Sequence, residues 1–338
     1  MNITTVGIDL AKNVFHVHGV DVRGKVVLQK RLARRRVSEF MFNLPPCRVG
    51  IESCSGAHHW YRVFRSCGHD VGIMSPQFVK PYVKSNKNDW NDAEGICEAV
   101  SRPNMRFVTP KAVEQQDIQC VHRIRQRLVG QRTSLVNQAR GLLAEYGIVL
   151  PRGIRQLRRR LPELLEDAGN ELTALGRELF AELHEEFRYL DERIAGLEVR
   201  IRRIFNQSER CRQVGRVEGI GPITATALVA AVGDAHEFHD GREMAAWLGL
   251  VPRQRSTGGH AQLLGISKRG DRYLRTLLIH GARAVVRVAD RKEDARSRWI
   301  SRLKARRGKN IASVALANKN ARVVWALLSR AESYQPTA

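Results

Sequence analysis

The sequence predicts an α/β domain, then a helical middle region, then a mainly α-helical C-terminal part, with boundaries at 1–110, 111–210 and 211–338. Three observations predict this. Short β-branched runs separated by turn residues occupy the first 75 residues. From Val113 to Ile204 apolar residues recur at helical spacing with few breakers, and after Arg210 amphipathic helices alternate with glycine-rich turns.

Residues 3–10 read as a β-branched strand with an apolar, buried centre. Residues 14–20 alternate, Phe15 and Val17 on one side and His16 and His18 on the other. A His-x-His pair can ligate a metal, but strand alternation explains it as a polar face, the reading we favour. The Asp21–Gly24 turn leads to a third strand, 25–32, in an antiparallel meander. Ser38 is the expected cap of a short helix with Phe40, Met41 and Leu44. Strand 48–51, helix 57–67, strand 70–74 and helix 89–101 follow. A meander followed by alternating helix and strand is the ribonuclease-H order of elements, in which the first and fourth strands are neighbours. Asp9 ends the first and Glu52 the fourth.

Lys87-Asn88-Asp89-Trp90-Asn91-Asp92-Ala93 organises this half of the chain. With Ala93, Ile96 and Val100 on one apolar stripe, residues 89–100 are helical, and Asp89 and Asp92 share a face. Alone, such a pair is most often a cap plus a residue favoured by the helix dipole. With Asp9 and Glu52 it makes four oxygen donors, the chemistry of a hard-cation site.

Lys and Arg number 57 against 34 Asp and Glu, a net charge of +23, which points to a polyanionic partner. The charge is uneven: residues 111–160 carry 11 basic and 3 acidic side chains, whereas 161–210 carry 7 and 12. The acidic block suits contact with protein rather than nucleic acid. Six cysteines without C-x-x-C pairing read as reduced, mostly buried thiols and argue against a zinc ribbon or a disulfide framework. The chain starts without the basic-then-apolar pattern of a secretion signal, and no apolar run approaches membrane-spanning length, so a cytoplasmic protein without membrane contact is expected.

The basic region is helical from Val113 to Gly141 and contains Arg123, Arg125, Arg127, Arg132 and Arg140, then Arg152, Arg155 and Arg158 to Arg160. Solvated faces mix signs, so Arg123, Arg127, Arg158 and Arg159 are candidate phosphate contacts. Residues 171–205 form one long helix. Phe187, Leu190, Ile194, Leu197, Ile201 and Ile204 keep heptad spacing, continued upstream by Leu172, Leu175, Leu179 and Leu183 with a stutter. Pairing with the preceding basic arm, or a coiled coil between subunits, would bury this seam. Beyond it, Gly219-Ile220-Gly221-Pro222 matches the turn of helix-hairpin-helix modules, where backbone N–H groups approach a phosphate, and equally a plain turn between core helices. Helix 241–249 turns Met244, Ala245 and Leu248 inward. Arg253 to His260 reads as a polar loop in which a hydroxyl sits among Arg253, Arg255 and glycines, with Lys268 and Arg269 nearby. Such a hydroxyl can serve as a phosphate-attacking nucleophile, although Ser-Thr-Gly-Gly is more often only a turn. A helix over 272–288 and a basic stretch over 291–309 complete the chain.

Gly7-Ile8-Asp9-Leu10-Ala11-Lys12, Ile51-Glu52-Ser53, Asp89-Trp90-Asn91-Asp92-Ala93, Gly249-Leu250-Val251-Pro252, Ser256-Thr257-Gly258-Gly259 and Ile266-Ser267-Lys268-Arg269-Gly270 together resemble the DEDD transposases of bacterial insertion sequences, relatives of the Piv/MooV invertases. The resemblance spans nearly the whole chain. It implies a RuvC-like N-terminal domain, a coiled-coil middle and a C-terminal transposase domain. Carried over residue by residue, Asp9, Glu52, Asp89 and Asp92 bind Mg²⁺ and Ser256 is the DNA nucleophile, with Thr257 as the adjacent alternative. The family further implies a structured guide RNA that pairs with donor and target DNA.

The function expected is therefore a recombinase that passes through a phosphoserine link. Ser256 is distant in sequence from the carboxylates, so an active site built between subunits of a dimer or tetramer is expected. A RuvC-type nuclease using water is the alternative. An actin-like ATPase is disfavoured by the missing second phosphate motif, and a non-catalytic nucleic-acid binder is the remaining rival.

Overall fold

The computed structural model describes residues 2–84, 86, 88–330 and 334, so Lys87 of the central motif lies outside the described residues. The chain forms two compact units, Met1–Ala112 and Val113–Ala338.

The first unit is a mixed five-stranded sheet with helices. In chain order it contains β1 (Thr5–Asp9), β2 (Val14–Val20), β3 (Val26–Ala33), α1 (Val37–Phe42), β4 (Arg48–Glu52), α2 (Ala57–Ser66), β5 (Asp70–Met74), α3 (Pro76–Val79) and α4 (Asp89–Val100). The strand order is β3-β2-β1-β4-β5, with β1 antiparallel to β2 and parallel to β4. The meander forms as expected. Ser38, expected as a cap, lies inside α1, because the helix follows directly on a 3₁₀ turn at Arg34–Arg36 and starts two residues earlier, with Arg36 in the cap position.

One helix approaches this sheet unusually closely. A Cβ on Gly7 would lie 2.3 Å from the Ala93 carbonyl oxygen and the Cys97 nitrogen, and one on Gly50 2.7 Å from Val100 Cβ. Only glycine at both positions lets α4 lie this near to β1 and β4. Ala93, Ile96 and Val100 are the side chains it buries. The helix also covers β2, so His16 and His18, expected on a polar strand face, are buried instead.

The second unit is helical apart from one hairpin. It comprises α5 (Val113–Ala144), α6 (Ile154–Glu166), α7 (Ala174–Gln207), α8 (Glu209–Gly215), α9 (Pro222–Val232), α10 (Gly241–Trp247), β6 (Pro252–Thr257), β7 (His260–Ile266), α11 (Arg272–Val288), α12 (Ala295–Arg307) and α13 (Lys309–Arg330). Helices of the 111–210 region and of the C-terminal part share this unit, with α9 packed on both α5 and α7. The α7 seam is buried against α5 within the chain, the first of the two arrangements considered. Phe187, Leu190, Ile194, Leu197 and Ile201 are buried. Upstream the stripe runs through Leu172, Gly176 and Phe180, while Leu175 and Leu179 face solvent at 64% and 51% exposure. Phenylalanine at 180 takes the place on the seam that the leucine count assigned to its neighbour.

A buried polar cluster ties α5 to α9 and α11. The His122 ring nitrogens each lie 3.0 Å from a hydroxyl, Nδ1 from Tyr273 and Nε2 from Thr226. Burial, aided by the Arg125 charge, lowers the His122 pKa to about 4. Of the six thiols Cys47, Cys97 and Cys211 are buried, whereas Cys54 and Cys120 are exposed, fewer buried than expected.

Gly7→Ala is expected to destabilise the first unit by about 3 kcal/mol, since backbone cannot move aside cheaply. Gly130→Ala, in an open stretch of α5, should stabilise by up to about 1 kcal/mol; thermal unfolding of each variant checks both. For His122, the unfolded chain takes up a proton near pH 6.5 and the folded one only near pH 4. Stability is therefore full above pH 6.5 and falls as pH drops toward 4, by about 3 kcal/mol in total. Melting curves between pH 7.5 and 4 should show this loss, and His122→Gln should flatten it.

Candidate active site and nucleic-acid interface

Side chains two apart on a strand share a face. Gly7 faces α4, so Asp9 does too, and Gly50 orients Glu52 in the same way. Because Ile8 pairs with Ile51 in the parallel register, the two carboxylates emerge side by side where β1 and β4 end. Asp89 and Asp92 occupy the first turn of α4. The cap of that helix is Asn88, whose side chain accepts from the Trp90 N–H at 3.0 Å. Asp89 is thus released from the capping role that such a residue most often has.

The four carboxylates fall into two groups, and no residue belongs to both. Asp9 and Asp89 join His16, with one ligand atom from each lying within 4.8 Å of the other two. Glu52 and Asp92 line one cleft of about 550 Å³, together with Gln77 and Lys80. Cys54 links the two groups electrostatically: desolvation first, then the Glu52 and Asp9 carboxylates, hold its thiol above the usual range. His16 was not among the expected site residues. Its signal was register, since Asp9 stands directly opposite His16 across the antiparallel pair.

In the second unit the expected loop around Ser256 is a two-stranded ribbon. Ser256 pairs with Ala261, and Gly258 and Gly259, with φ of 54° and 80°, make the two-residue turn. All of β6 is exposed, as is nearly all of β7, so Ser256, Thr257, Arg253 and Arg255 face solvent. The Gln254 amide donates to Ser256 Oγ at 2.7 Å. At the ribbon's base the buried Arg275 donates to the carbonyls of Leu248 (3.1 Å) and Arg269 (2.8 Å). Lys268, with φ of 55°, and Arg269 are exposed beside it.

The remaining basic candidates divide. Arg123, Arg127 and Arg159 are exposed. Arg158 forms an ion pair with Asp191 and lies over the Phe187 ring. Asp191 also holds Arg132 at 2.6 Å, and Glu198 holds Arg125. Part of the basic arm is therefore matched to the acidic block. Gly219 has a packing role, since a Cβ there would lie 2.9 Å from the Gly281 carbonyl of α11, while Gly221 opens to solvent. Neither observation brings a phosphate to this turn.

The first unit thus carries an acidic cluster where β1 and β4 end, and the second an exposed serine among arginines. Residues 211–298 match the profile of the transposase IS116/IS110/IS902 family, and residues 6–148 match the DEDD transposase profile of IS110 elements. The chain is 53% identical over 99% of its length to all of a probable family 20 transposase of Pseudomonas aeruginosa. It is 47% identical to the transposase for insertion sequence element IS1111A of Coxiella burnetii, over 99% of this chain and 92% of the relative. For the IS1328 transposase of Yersinia enterocolitica the figures are 42%, 97% and 98%. The chain belongs to the IS110/IS116 family of transposases. No helix among the described residues is long and apolar enough to cross a membrane.

Arg275→Met should leave two carbonyls at the ribbon's base unpaired, costing about 2 kcal/mol. Hydrogen exchange in residues 252–268 is expected to speed up by about tenfold or more, with exchange in the first unit unchanged.

Proposed function

We propose that this chain cuts and rejoins DNA strands through a phosphoserine link on Ser256, assisted by Mg²⁺ held by Asp9, Glu52, Asp89 and Asp92. The observation that carries this is the shared orientation of the carboxylates. Asp9 and Glu52 end adjacent parallel strands and face the helix whose first turn bears the other two. Hard oxygen donors fit such an ion. The strand order, with β1 between an antiparallel β2 and a parallel β4, supports a RuvC-like reading of the unit.

When bound, the ion polarises the scissile phosphate and offsets developing charge. The chain's own groups supply the rest. The Ser256 oxygen attacks phosphorus, the Oγ–P bond forms and the P–O3′ bond breaks. The serine gives up its proton and the departing O3′ takes one to leave as a 3′-hydroxyl. Attack by the 3′-hydroxyl of a second strand then expels Oγ, so the phosphodiester energy is kept. Arg253, Arg255, Lys268 and Arg269 neutralise phosphate charge on the ribbon. The Gln254 amide donates to Oγ and cannot accept its proton, so the base comes from another group.

Exposed Arg123, Arg127 and Arg159 suit contact with nucleic-acid backbone, DNA and a structured guide RNA alike. Backbone contacts carry no sequence information, which a base-pairing guide would supply. Assembly as a dimer or tetramer belongs to this reading and rests on the sequence separation of Ser256 from the carboxylates.

Incubating the protein, its candidate RNA and labelled donor and target DNA with Mg²⁺, followed by denaturing electrophoresis, tests the mechanism. A covalent adduct lost in Ser256→Ala, and lost separately in Asp9→Asn, is expected. Free cleaved DNA without an adduct, unchanged by Ser256→Ala, would favour the water-using nuclease instead.

A further inference from the structure

His16 stands at a place where a strand residue needs a reason to be a histidine. It lies on β2, opposite Asp9 of the central strand, with a side chain only 8% exposed. Its Nδ1 atom is buried and makes no hydrogen bond among the described residues. The nearest carboxylate oxygen, Asp89 Oδ2, is 3.6 Å away, too far for a hydrogen bond. Burying an unsatisfied ring nitrogen costs about 1–3 kcal/mol, so the arrangement calls for a partner.

The surroundings define that partner. Asp9, His16 and Asp89 each offer a ligand atom within 4.8 Å of the others. Two donors on one ion with bonds of about 2.1 Å lie up to about 4.2 Å apart, which 3.6 Å satisfies. Trp90 packs edge-on against the His16 ring at 4.6 Å between centroids and limits its rotation. The neighbouring His18 also has a buried Nδ1 without a hydrogen bond, but it is not part of the three-residue group.

We propose that His16 Nδ1 is a direct ligand of the cation held by Asp9 and Asp89, making the site a mixed nitrogen and oxygen site. This rests on the carboxylate-site reading above and adds a donor to it. The chemical consequence is selectivity. Imidazole nitrogen suits Zn²⁺, Fe²⁺ and Ni²⁺, whereas Mg²⁺ and Ca²⁺ take oxygen and Mn²⁺, though it prefers oxygen, accepts a nitrogen beside it. The four carboxylates admit Mg²⁺, and His16 shifts the preference toward a transition ion.

The test uses the full chain with Mn²⁺ as the probe. Electron spin-echo spectroscopy of the Mn²⁺-bound protein should show the modulation of a coordinated imidazole nitrogen. That signal should vanish in His16→Gln and persist in His18→Gln. Calorimetric titration should show Mn²⁺ affinity falling by about tenfold or more in His16→Gln, with Mg²⁺ affinity changed far less. Bound Mn²⁺ without a nitrogen signal in the wild-type protein overturns the proposal with no variant needed. So does a signal that survives His16→Gln. If Asp9→Asn leaves Mn²⁺ binding intact, the carboxylate-site reading fails with it. If Asp9→Asn abolishes binding while His16→Gln keeps the nitrogen signal, only the histidine assignment fails.

Discussion

The first unit depends on the contact between α4 and two glycines. A helix normally rides on a sheet with side chains between the two backbones. Here Gly7 and Gly50 remove those side chains from adjacent strands, and the α4 backbone descends to meet the sheet. Each glycine precedes a carboxylate by two residues. The positions that allow the helix in are thereby followed, on the same face, by Asp9 and Glu52. Packing and chemistry are set by one spacing: a helix held higher would lift Asp89 away from Asp9 and His16.

The second unit solves a different problem. A chain with 57 basic side chains must hold its helices together without driving its surfaces apart. The α5–α7 pair does so with an apolar seam flanked by charge pairing, Arg125 with Glu198 and Arg132 with Asp191. Pairs this shielded act more strongly than exposed ones, yet Asp191 is shared with the exposed Arg158, a contact that salt weakens. The acidic block is therefore an internal counterweight that reaches Arg125, Arg132 and Arg158.

Much of this was legible in the residues. Strand and helix order followed from β-branched runs and 3-4 spacing, and the motif around Asp89 announced its helix. Other features needed three dimensions. His16 and His18 alternate as a polar face does, and nothing in their spacing says that a helix covers them. The Arg253 to His260 segment has turn composition because its centre is a two-residue turn, and its flanks lack the apolar alternation that marks a strand. The seam leucines at 175 and 179 misled because a stutter can be crossed in more than one way, and packing chose Phe180. From sequence Gly219 fits a phosphate-binding turn and a close helix contact equally well, and its close approach to Gly281, 62 residues on, is visible only in three dimensions.

The ribbon of β6 and β7 has no core of its own. A two-stranded hairpin is marginal alone in water, so its shape is inherited from its base. There Gly249 and Gly270 pack against the Arg269 and Trp247 carbonyls, and Arg275 closes the joint. Side chains along the arm contribute almost nothing to holding the second unit together. Substitution at position 256 is thus decoupled from folding, and the arm can vary in sequence, charge and reach while the body that carries it stays unchanged.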